Sequence, residues 1–511
     1  MKLTREILRL AGPSILANVT VPLVGMVDIA VVGHLGGTGA MSGAALIGGI
    51  SIGTMLFDLL YWNFAFLRAG TGGLTAQAYG RLRGLYPLLS PAAFSPSTSL
   101  ADGKSPGPGR APDGASLSPR TEARDELGTI LRRALRVALV SALGILLLQW
   151  VVVKAAFLVV HCSPEVRALA TQYFYIRVWA APATLSLFAF KGWFIGLQDS
   201  VRPMTADLLV NGLNIVLSVL LSFGLPALPG IGFAGIHGLG FAGVALGTVL
   251  AQWAGLAYCL AAAYRRYGFS VELNAFSLRR LHKISKENFL TNFKETPQNQ
   301  DVSQFFTINR DLFLRSAGMI AVYIGFTVIG ATLGDEMLAV SAILMKLLMV
   351  FSYFTDGFAY AGEALTGRFI GEGSSEGVGA TIRQTFRVSW AVAGIFVLAY
   401  GLCGSPLLRL MTSDAAVVEA GKAFLPWLML MPLIGCPAFV WDGIFIGATA
   451  SADLRNSTLL CAVGFFSVWF IGKALWGPMP PATGLHLLMA AYFVHLAIRS
   501  VYLTLRSPSL R

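Results

Sequence analysis

Apolar residues gather in long runs along the chain, and polar residues mark the intervals between them. A helix needs about 20 mainly apolar residues to cross hydrocarbon. Twelve runs have that length, at roughly 7–33, 44–68, 130–153, 167–196, 203–225, 240–264, 311–332, 338–366, 384–404, 423–448, 457–474 and 483–505. In a bilayer each backbone N–H and C=O must find its partner within the spanning segment, so the runs predict helices and not buried strands. The expected fold class is an all-α polytopic membrane protein with twelve transmembrane helices. Residues 1–9 form a short basic lead. The run that follows is too long, and too broken by Pro13 and Pro22, for a signal h-region.

An internal repeat divides the twelve helices into two pseudo-symmetric six-helix lobes. Phe66-Leu67-Arg68-Ala69-Gly70 echoes Phe358-Ala359-Tyr360-Ala361-Gly362 at an offset of 292, and Gly192-Trp193-Phe194-Ile195-Gly196 echoes Gly443-Ile444-Phe445-Ile446-Gly447 at an offset of 251. The two offsets differ by 41 residues, and a segment of that size, 84–124, lies between the second and fourth runs. It is dense in Pro, Gly, Ser and Ala, a composition that buries too little surface to offset its ordering entropy, so a disordered cytoplasmic insert is expected there. The division is then 1–266 for the N-lobe with helices 1–6, 267–307 for a cytoplasmic inter-lobe loop, and 308–511 for the C-lobe with helices 7–12. Two six-helix halves related by an axis along the membrane normal are a recurrent plan of secondary transporters, which hold their sites near the midplane.

Composition agrees with the pattern. Hydrophobic residues make up 55% of the 511 and charged residues 13%, about half the charged share of a soluble domain. That nearly excludes a soluble enzyme of this length. The net charge of +12 raises nucleic acid as a partner, but the placement of the positive charge argues for loops facing the cytoplasm. With the N-terminus inside, the cytoplasmic segments collect about 29 of the 38 basic residues and the external ones about 5. Both termini then lie inside, in the plasma (inner) membrane. The five cysteines have no paired spacing and read as small core residues, not as metal ligands or a disulfide framework.

Several motifs carry a resemblance. Val27-Asp28 and Val32-Gly33-His34-Leu35-Gly36, after Pro13, look like the opening of the multidrug and toxic compound extrusion (MATE) family. Phe66 to Gly80, Gly192 to Ser200, Asn309 to Arg315 and Tyr353 to Leu365 resemble its DinF-type branch. The resemblance covers nearly the whole chain outside 84–124 and 267–307. It implies export of amphipathic, often cationic compounds, driven by inward flow of H⁺ or Na⁺, with no cofactor besides the coupling ion.

Ionisable groups inside a bilayer are functional candidates by default. Asp28 lies among Val27, Ile29, Ala30 and Val31. Burial there penalises its charged form and suits it to take and release a proton. Its position also matches the N-lobe coupling aspartate of the family. Asn211, Asn214 and Ser218, at i, i+3 and i+7, share one helix face and are its natural partners for cation or proton coupling. Many family members carry a second aspartate where Ser218 stands, so a two-carboxylate Na⁺ site is in doubt and a single-proton mechanism gains. Without the resemblance, such an Asn–Asn–Ser stripe is more often helix-packing glue.

In the C-lobe, Asp356, Tyr360 and Glu363 fall on one face at i, i+4 and i+7, and Asp442 precedes the repeated Gly-x-Phe-Ile-Gly. Asp442 matches a C-lobe aspartate of other branches, but Arg315 and Ser316 stand where its usual glutamate partner would be. Arg177 and Lys191 share a face of the fourth run and are expected to join this polar cluster; the plainer alternative is that such cations pair with Asp356, Glu363 or Asp442 and merely hold the bundle. Lys346 has no counterpart that explains it. Arg68 reads as a snorkelling anchor at a span end, and Asp58 and Asn63 are weaker candidates. Among the aromatics, Trp62, Trp193, Tyr353 and Trp441 lie nearest the polar positions and are the candidates for a substrate cavity.

The favoured reading is a secondary active exporter of amphipathic or cationic organic compounds, monomeric, with small-molecule substrates and the lipid bilayer as partners. The alternative is a lipid-linked precursor or polysaccharide flippase of the same wider superfamily, for which Arg177, Lys191 and Lys346 would supply a cationic cavity. An enzyme is disfavoured: no GxSxG, HExxH or Walker-type loop is found, and the six histidines are dispersed.

Overall fold

A computed structural model of the chain describes residues 2–35, 43–85, 119–159, 162–225, 236–268, 297–411 and 415–510. All twelve expected runs are helical spans: Lys2–Val32, Ala45–Gly84, Glu126–Leu158, Pro164–Gly196, Val201–Phe223, Phe241–Tyr267, Ser303–Ala331, Glu336–Gly371, Ser375–Met411, Leu425–Gly447, Ser451–Trp476 and Pro481–Leu510. Most extend beyond the apolar run that predicts them, because a helix satisfies its own backbone and can continue into water as an amphipathic stem. The molecule is an integral membrane protein, and side chains such as Leu147, Leu402 and Val463 point outward to form the lipid-facing surface.

The helices of the N-lobe are α1 (Lys2–Leu35), α2 (Gly43–Trp62), α3 (Phe66–Leu85), α4 (Pro119–Val159), α5 (Pro164–Arg177), α6 (Ala181–Gly196), α7 (Val201–Phe223) and α8 (Phe241–Tyr267). Those of the C-lobe are α9 (Pro297–Ala331), α10 (Asp335–Gly371), α11 (Ser375–Met411), α12 (Ala415–Lys422), α13 (Leu425–Gly447), α14 (Ser451–Trp476) and α15 (Pro481–Arg506). Strands β1 (Gly224–Leu225) and β2 (Ile236–His237) form a two-residue antiparallel ladder. The second and fourth spans are each broken by a 3₁₀ turn, at Asn63–Ala65 and Val178–Ala180. In the fourth, Pro182 in the first turn of α6 lacks the N–H that a continuous helix would need.

The two expected loops are shorter than the sequence suggests. Helix α3 runs to Leu85 and α4 begins at Pro119, so both margins of the 84–124 insert are helix; 86–118 lie outside the described residues. Likewise α9 starts at Pro297, within the expected 267–307 loop, because Phe305 and Ile308 form an apolar i, i+3 pair that is buried against the bundle. Residues 269–296 lie outside the described residues.

The repeat corresponds to one packing device used twice. A Cβ added at Gly192 would sit 2.1 Å from the Arg68 carbonyl oxygen, and one at Gly443 would sit 2.0 Å from that of Ala359. Gly196 meets the Gly72 carbonyl in the same way, and Gly447 that of Glu363. Two helix pairs, α3 with α6 and α10 with α13, thus approach until backbone touches backbone. Gly192 and Gly443 are 251 apart, as expected, but Arg68 and Ala359 are 291 apart. The repeat read at 292 is therefore slipped by one residue.

The lobes meet along one half of the bundle. Gly80 packs on the Arg368 carbonyl, and Gly371 on that of Gln77. Gln77 Nε2 donates to the Gly447 carbonyl and to Thr449 Oγ1, both at 3.1 Å. Arg368 donates to Glu6 at 2.6 Å and to Gln198 at 3.3 Å, and Gln384 donates to Thr4 at 3.0 Å. Asn18 Nδ2 reaches the Tyr353 carbonyl at 3.3 Å. Away from this seam, Asp58 and Trp62 on α2 and Lys346 on α10 are exposed, which marks an opening between the lobes, the cleft.

Candidate functional site

Asp28 projects from α1 where that helix packs against α7. It is 8% exposed, and its Oδ1 has no hydrogen-bond partner among the described residues. Ser218 is its neighbouring hydroxyl on α7. Ser218 Oγ donates to Asn214 Oδ1 at 2.8 Å, and both side chains are buried. Two turns before Asp28, Thr20 Oγ1 accepts from Asn211 Nδ2 at 2.6 Å. The Asn211–Asn214–Ser218 stripe therefore faces α1, as its spacing predicts. Behind it, Gly247 of α8 lies so close that an added Cβ would be 2.7 Å from the Ser218 backbone N. Ser218 is thereby held in register. Pro22, inside α1 six residues before Asp28, removes one rung of the helix ladder and leaves room for local adjustment.

Arg177 belongs to this lobe and not to the C-lobe cluster. Its Nη1 donates to Tyr173 Oη at 3.1 Å, and its guanidinium lies 4.9 Å from the Phe57 ring centroid. The carboxylates that feel its charge are Asp58 and Asp28. Lys191 is also placed elsewhere, in an ion pair with Asp207 on α7. Both departures have one cause: each cation finds a partner on its own or a neighbouring helix of its lobe, so neither is left buried alone.

The C-lobe stripe on α10 is intact but is partnered by unexpected residues. Glu363, fully buried, accepts from Arg68 Nη1 at 3.0 Å, and the same guanidinium sits 4.4 Å over the Tyr360 ring. Arg68 is thus no snorkelling anchor: α3 continues past it, and it crosses to the other lobe. Asp442 is bracketed by Arg315 and by Arg499, which is 1% exposed. Asp356 makes no ion pair among the described residues and lies in the field of Arg68, Arg499 and Arg315. Three guanidiniums and three carboxylates share this region. Arg499 and Asp207 escaped the sequence reading, although Arg499 lies in an apolar run and the rule that selected Asp28 selects it too.

Of the four aromatic candidates, two are consumed by packing. Trp193 is 2% exposed, with Nε1 donating to the Leu127 carbonyl at 3.0 Å. Trp441 is buried, with Nε1 on Thr504 Oγ1 at 2.8 Å. A buried indole must satisfy its N–H, which ties each ring to the helix bundle. Trp62 is 41% exposed and stands edge-on to Tyr323 across the lobes at 5.2 Å between centroids. Tyr353 is half-buried on the cleft-facing stripe of α10. These two remain at the cleft. Asn63 turns away, donating to the Leu59 carbonyl at 2.9 Å.

Comparison with known proteins sets this geometry in context. The chain matches the MatE family over residues 122–220 and 312–468. It is 31% identical over 494 residues to DNA damage-inducible protein F of Escherichia coli (strain K12), across 97% of this chain and 90% of that protein. It is 21% identical over 502 residues to the chloroplastic protein DETOXIFICATION 44 of Arabidopsis thaliana, across 98% and 81%. Among solved structures it resembles the outward-facing conformation of a multidrug resistance MATE family transporter of the MOP superfamily, with a TM-score of 0.68, 17% identity, and coverage of 99% of this chain and 96% of that one.

Proposed function

Because the chain belongs to the MatE family of multidrug and toxic compound efflux transporters, we propose that it is an H⁺-coupled antiporter that exports amphipathic or cationic organic compounds by alternating access of its two lobes. The observation that carries this reading is Asp28: a buried carboxylate with one oxygen free of hydrogen bonds, beside a polar stripe on a second helix. A group so placed gains by binding a proton, because neutralisation removes the desolvation penalty of its charge. Charged, it is drawn toward Arg177; neutral, it is not. That difference gives the lobe two states for a proton to choose between. Ser218 and Asn214 supply a hydroxyl and an amide, not a second carboxylate, which favours H⁺ over Na⁺.

The basic residues of the polar segments support cytoplasmic termini in a plasma (inner) membrane. In that orientation the sealed half of the bundle, with Glu6, Gln77 and Arg368, lies inside, and the cleft opens outward. The protein would act as a monomer and need no cofactor beyond the coupling ion. The flippase reading loses support because, of its three cations, Lys191 is neutralised by Asp207 and Arg177 is tied to Tyr173, which leaves Lys346 alone.

The test is transport in proteoliposomes with proton and sodium gradients imposed separately. The wild-type protein should accumulate a fluorescent organic cation under a proton gradient alone. Asp28→Asn should lose that accumulation while keeping its yield and monodispersity. Undiminished proton-driven export by the variant would overturn the assignment.

A further inference from the structure

Two exposed charges stand at the cleft without an ion-pair partner among the described residues. Arg68 is matched by Glu363, Lys191 by Asp207, and Asp442 by Arg315 and Arg499. Lys346 of α10 and Asp58 of α2 are both exposed and form no ion pair with any described residue. Lys346 lies 7, 10, 14 and 17 residues before Tyr353, Asp356, Tyr360 and Glu363, which places all five on one face of α10. That face is turned to the N-lobe, since Glu363 and Tyr360 hold Arg68 on it. Lys346 therefore looks into the cleft and not into lipid, where a lone ammonium is costly. Asp58 lies one turn before Trp62 on α2, and Trp62 meets Tyr323 of the other lobe, so Asp58 stands on the face of α2 turned to the C-lobe, where the charges of Arg177 and Lys346 act on it. Aromatic side chains border Asp58. Tyr323 feels the charge of Asp58, and Tyr353 that of both Asp58 and Asp356, while Trp62 stands edge-on against Tyr323.

We propose that Lys346 and Asp58 form a two-point site across the cleft for zwitterionic aromatic compounds, Lys346 taking a carboxylate and Asp58 an ammonium, with the ring against Trp62 and Tyr323. The inference rests on the export reading above and sharpens its substrate class. Two opposite charges held apart on separate lobes, near enough to feel each other and too far to pair, fit a ligand that carries both signs. They would bind it by charge-assisted hydrogen bonds, which are stronger than neutral ones. A purely cationic ligand would find Asp58 but be repelled by Lys346. Opposite charges of one ligand held by opposite lobes also tie its binding to their separation.

Matched dansyl probes separate the two points. ε-Dansyl-lysine carries the ring, the ammonium and the carboxylate; dansylcadaverine lacks only the carboxylate; dansyl-6-aminohexanoate lacks the ammonium. Binding is read by fluorescence on the purified full-length protein in detergent. The wild type should bind ε-dansyl-lysine about tenfold more tightly than either of the others, as expected for one charged hydrogen bond gained. Lys346→Gln should remove its advantage over dansylcadaverine without weakening dansylcadaverine itself, and Lys346→Arg should keep that advantage. Asp58→Asn should weaken both ammonium-bearing probes and spare dansyl-6-aminohexanoate. A wild type that prefers dansylcadaverine, or a Lys346→Gln variant that loses all three probes equally while staying monodisperse, would overturn the site. Proteoliposomes distinguish the parent reading: if the binding preferences hold but no probe is moved under any imposed gradient, the export assignment fails and the site stands.

Discussion

Arg68 and Asp28 are both ionisable residues in apolar surroundings, and the sequence marks both, but only the structure separates their roles. Arg68 closes an ion pair with a fully buried Glu363; Asp28 forms no ion pair with any described residue and keeps an oxygen free of hydrogen bonds among them. Intramembrane charge was legible from hydropathy alone, whereas its pairing was not, because Arg68 and Glu363 are 295 residues apart and meet only when the lobes do. Asp28 with Asn214 and Ser218 was easier, since the helical spacing of the polar stripe already fixes its face. The difference predicts opposite mutational signatures. Arg68→Met leaves Glu363 buried and uncompensated and should destabilise the protein by roughly 3–5 kcal/mol, while Arg68→Met with Glu363→Met should recover most of that loss. Thermal unfolding in detergent checks both. Asp28→Asn removes a charge whose burial is unfavourable and should leave the melting temperature unchanged or raised.

At the scale of helices, the spans were legible because length and apolarity decide them, and the breaks within them were not. Helix α3 begins after the 3₁₀ turn Asn63–Ala65 and is rich in Gly, Thr and Gln, so a hydropathy reading ends the second span near residue 68 instead of Leu85. The repeated glycines were visible as a motif, but their register needed contacts, and the one-residue slip between 292 and 291 followed. Their packing role predicts that Gly443→Ala, whose methyl would meet the Ala359 carbonyl at 2.0 Å, forces α10 and α13 apart and destabilises by roughly 1–3 kcal/mol. Gly144→Ala meets nothing within 4 Å and should be neutral or stabilising by about 0.5–1 kcal/mol. Unfolding midpoints of the two variants, measured side by side, test the contrast. Removing 88–116, between the end of α3 and the start of α4, should leave insertion and export near normal, as cell-surface quantitation and dye efflux would register.

On the scale of the whole molecule, the contacts that seal the lobes combine polar side chains and closely packed backbone, namely Gln77 on Gly447 and Thr449, Arg368 on Glu6 and Gln198, Gln384 on Thr4, and Gly80 against Arg368, with an apolar patch where Ile7, Leu10 and Ala11 meet Phe358, Ala361 and Leu365. The polar part of this seam can exchange its partners for water as the lobes part. Tethering it should stop the cycle. With Cys162 and Cys403 replaced by Ser, the pair Thr4→Cys and Gln384→Cys joined by a short bis-methanethiosulfonate should arrest export, and a reductant should restore it; continued export by the tethered protein would show that this seam need not open. The C-lobe cluster has its own consequence for energetics. Arg68, Arg315 and Arg499 balance Asp356, Glu363 and Asp442, so displacing the group as a unit carries no net charge across the membrane field. A voltage difference does work only on unbalanced charge, about 2.3 kcal/mol per elementary charge per 100 mV. Turnover should then draw its response to an imposed potassium–valinomycin potential from the charges outside this group, Asp28, Arg177, Asp58 and Lys346, and from the passenger molecule, so Arg68→Met with Glu363→Met, a neutral exchange, should leave the voltage response of export in proteoliposomes unchanged.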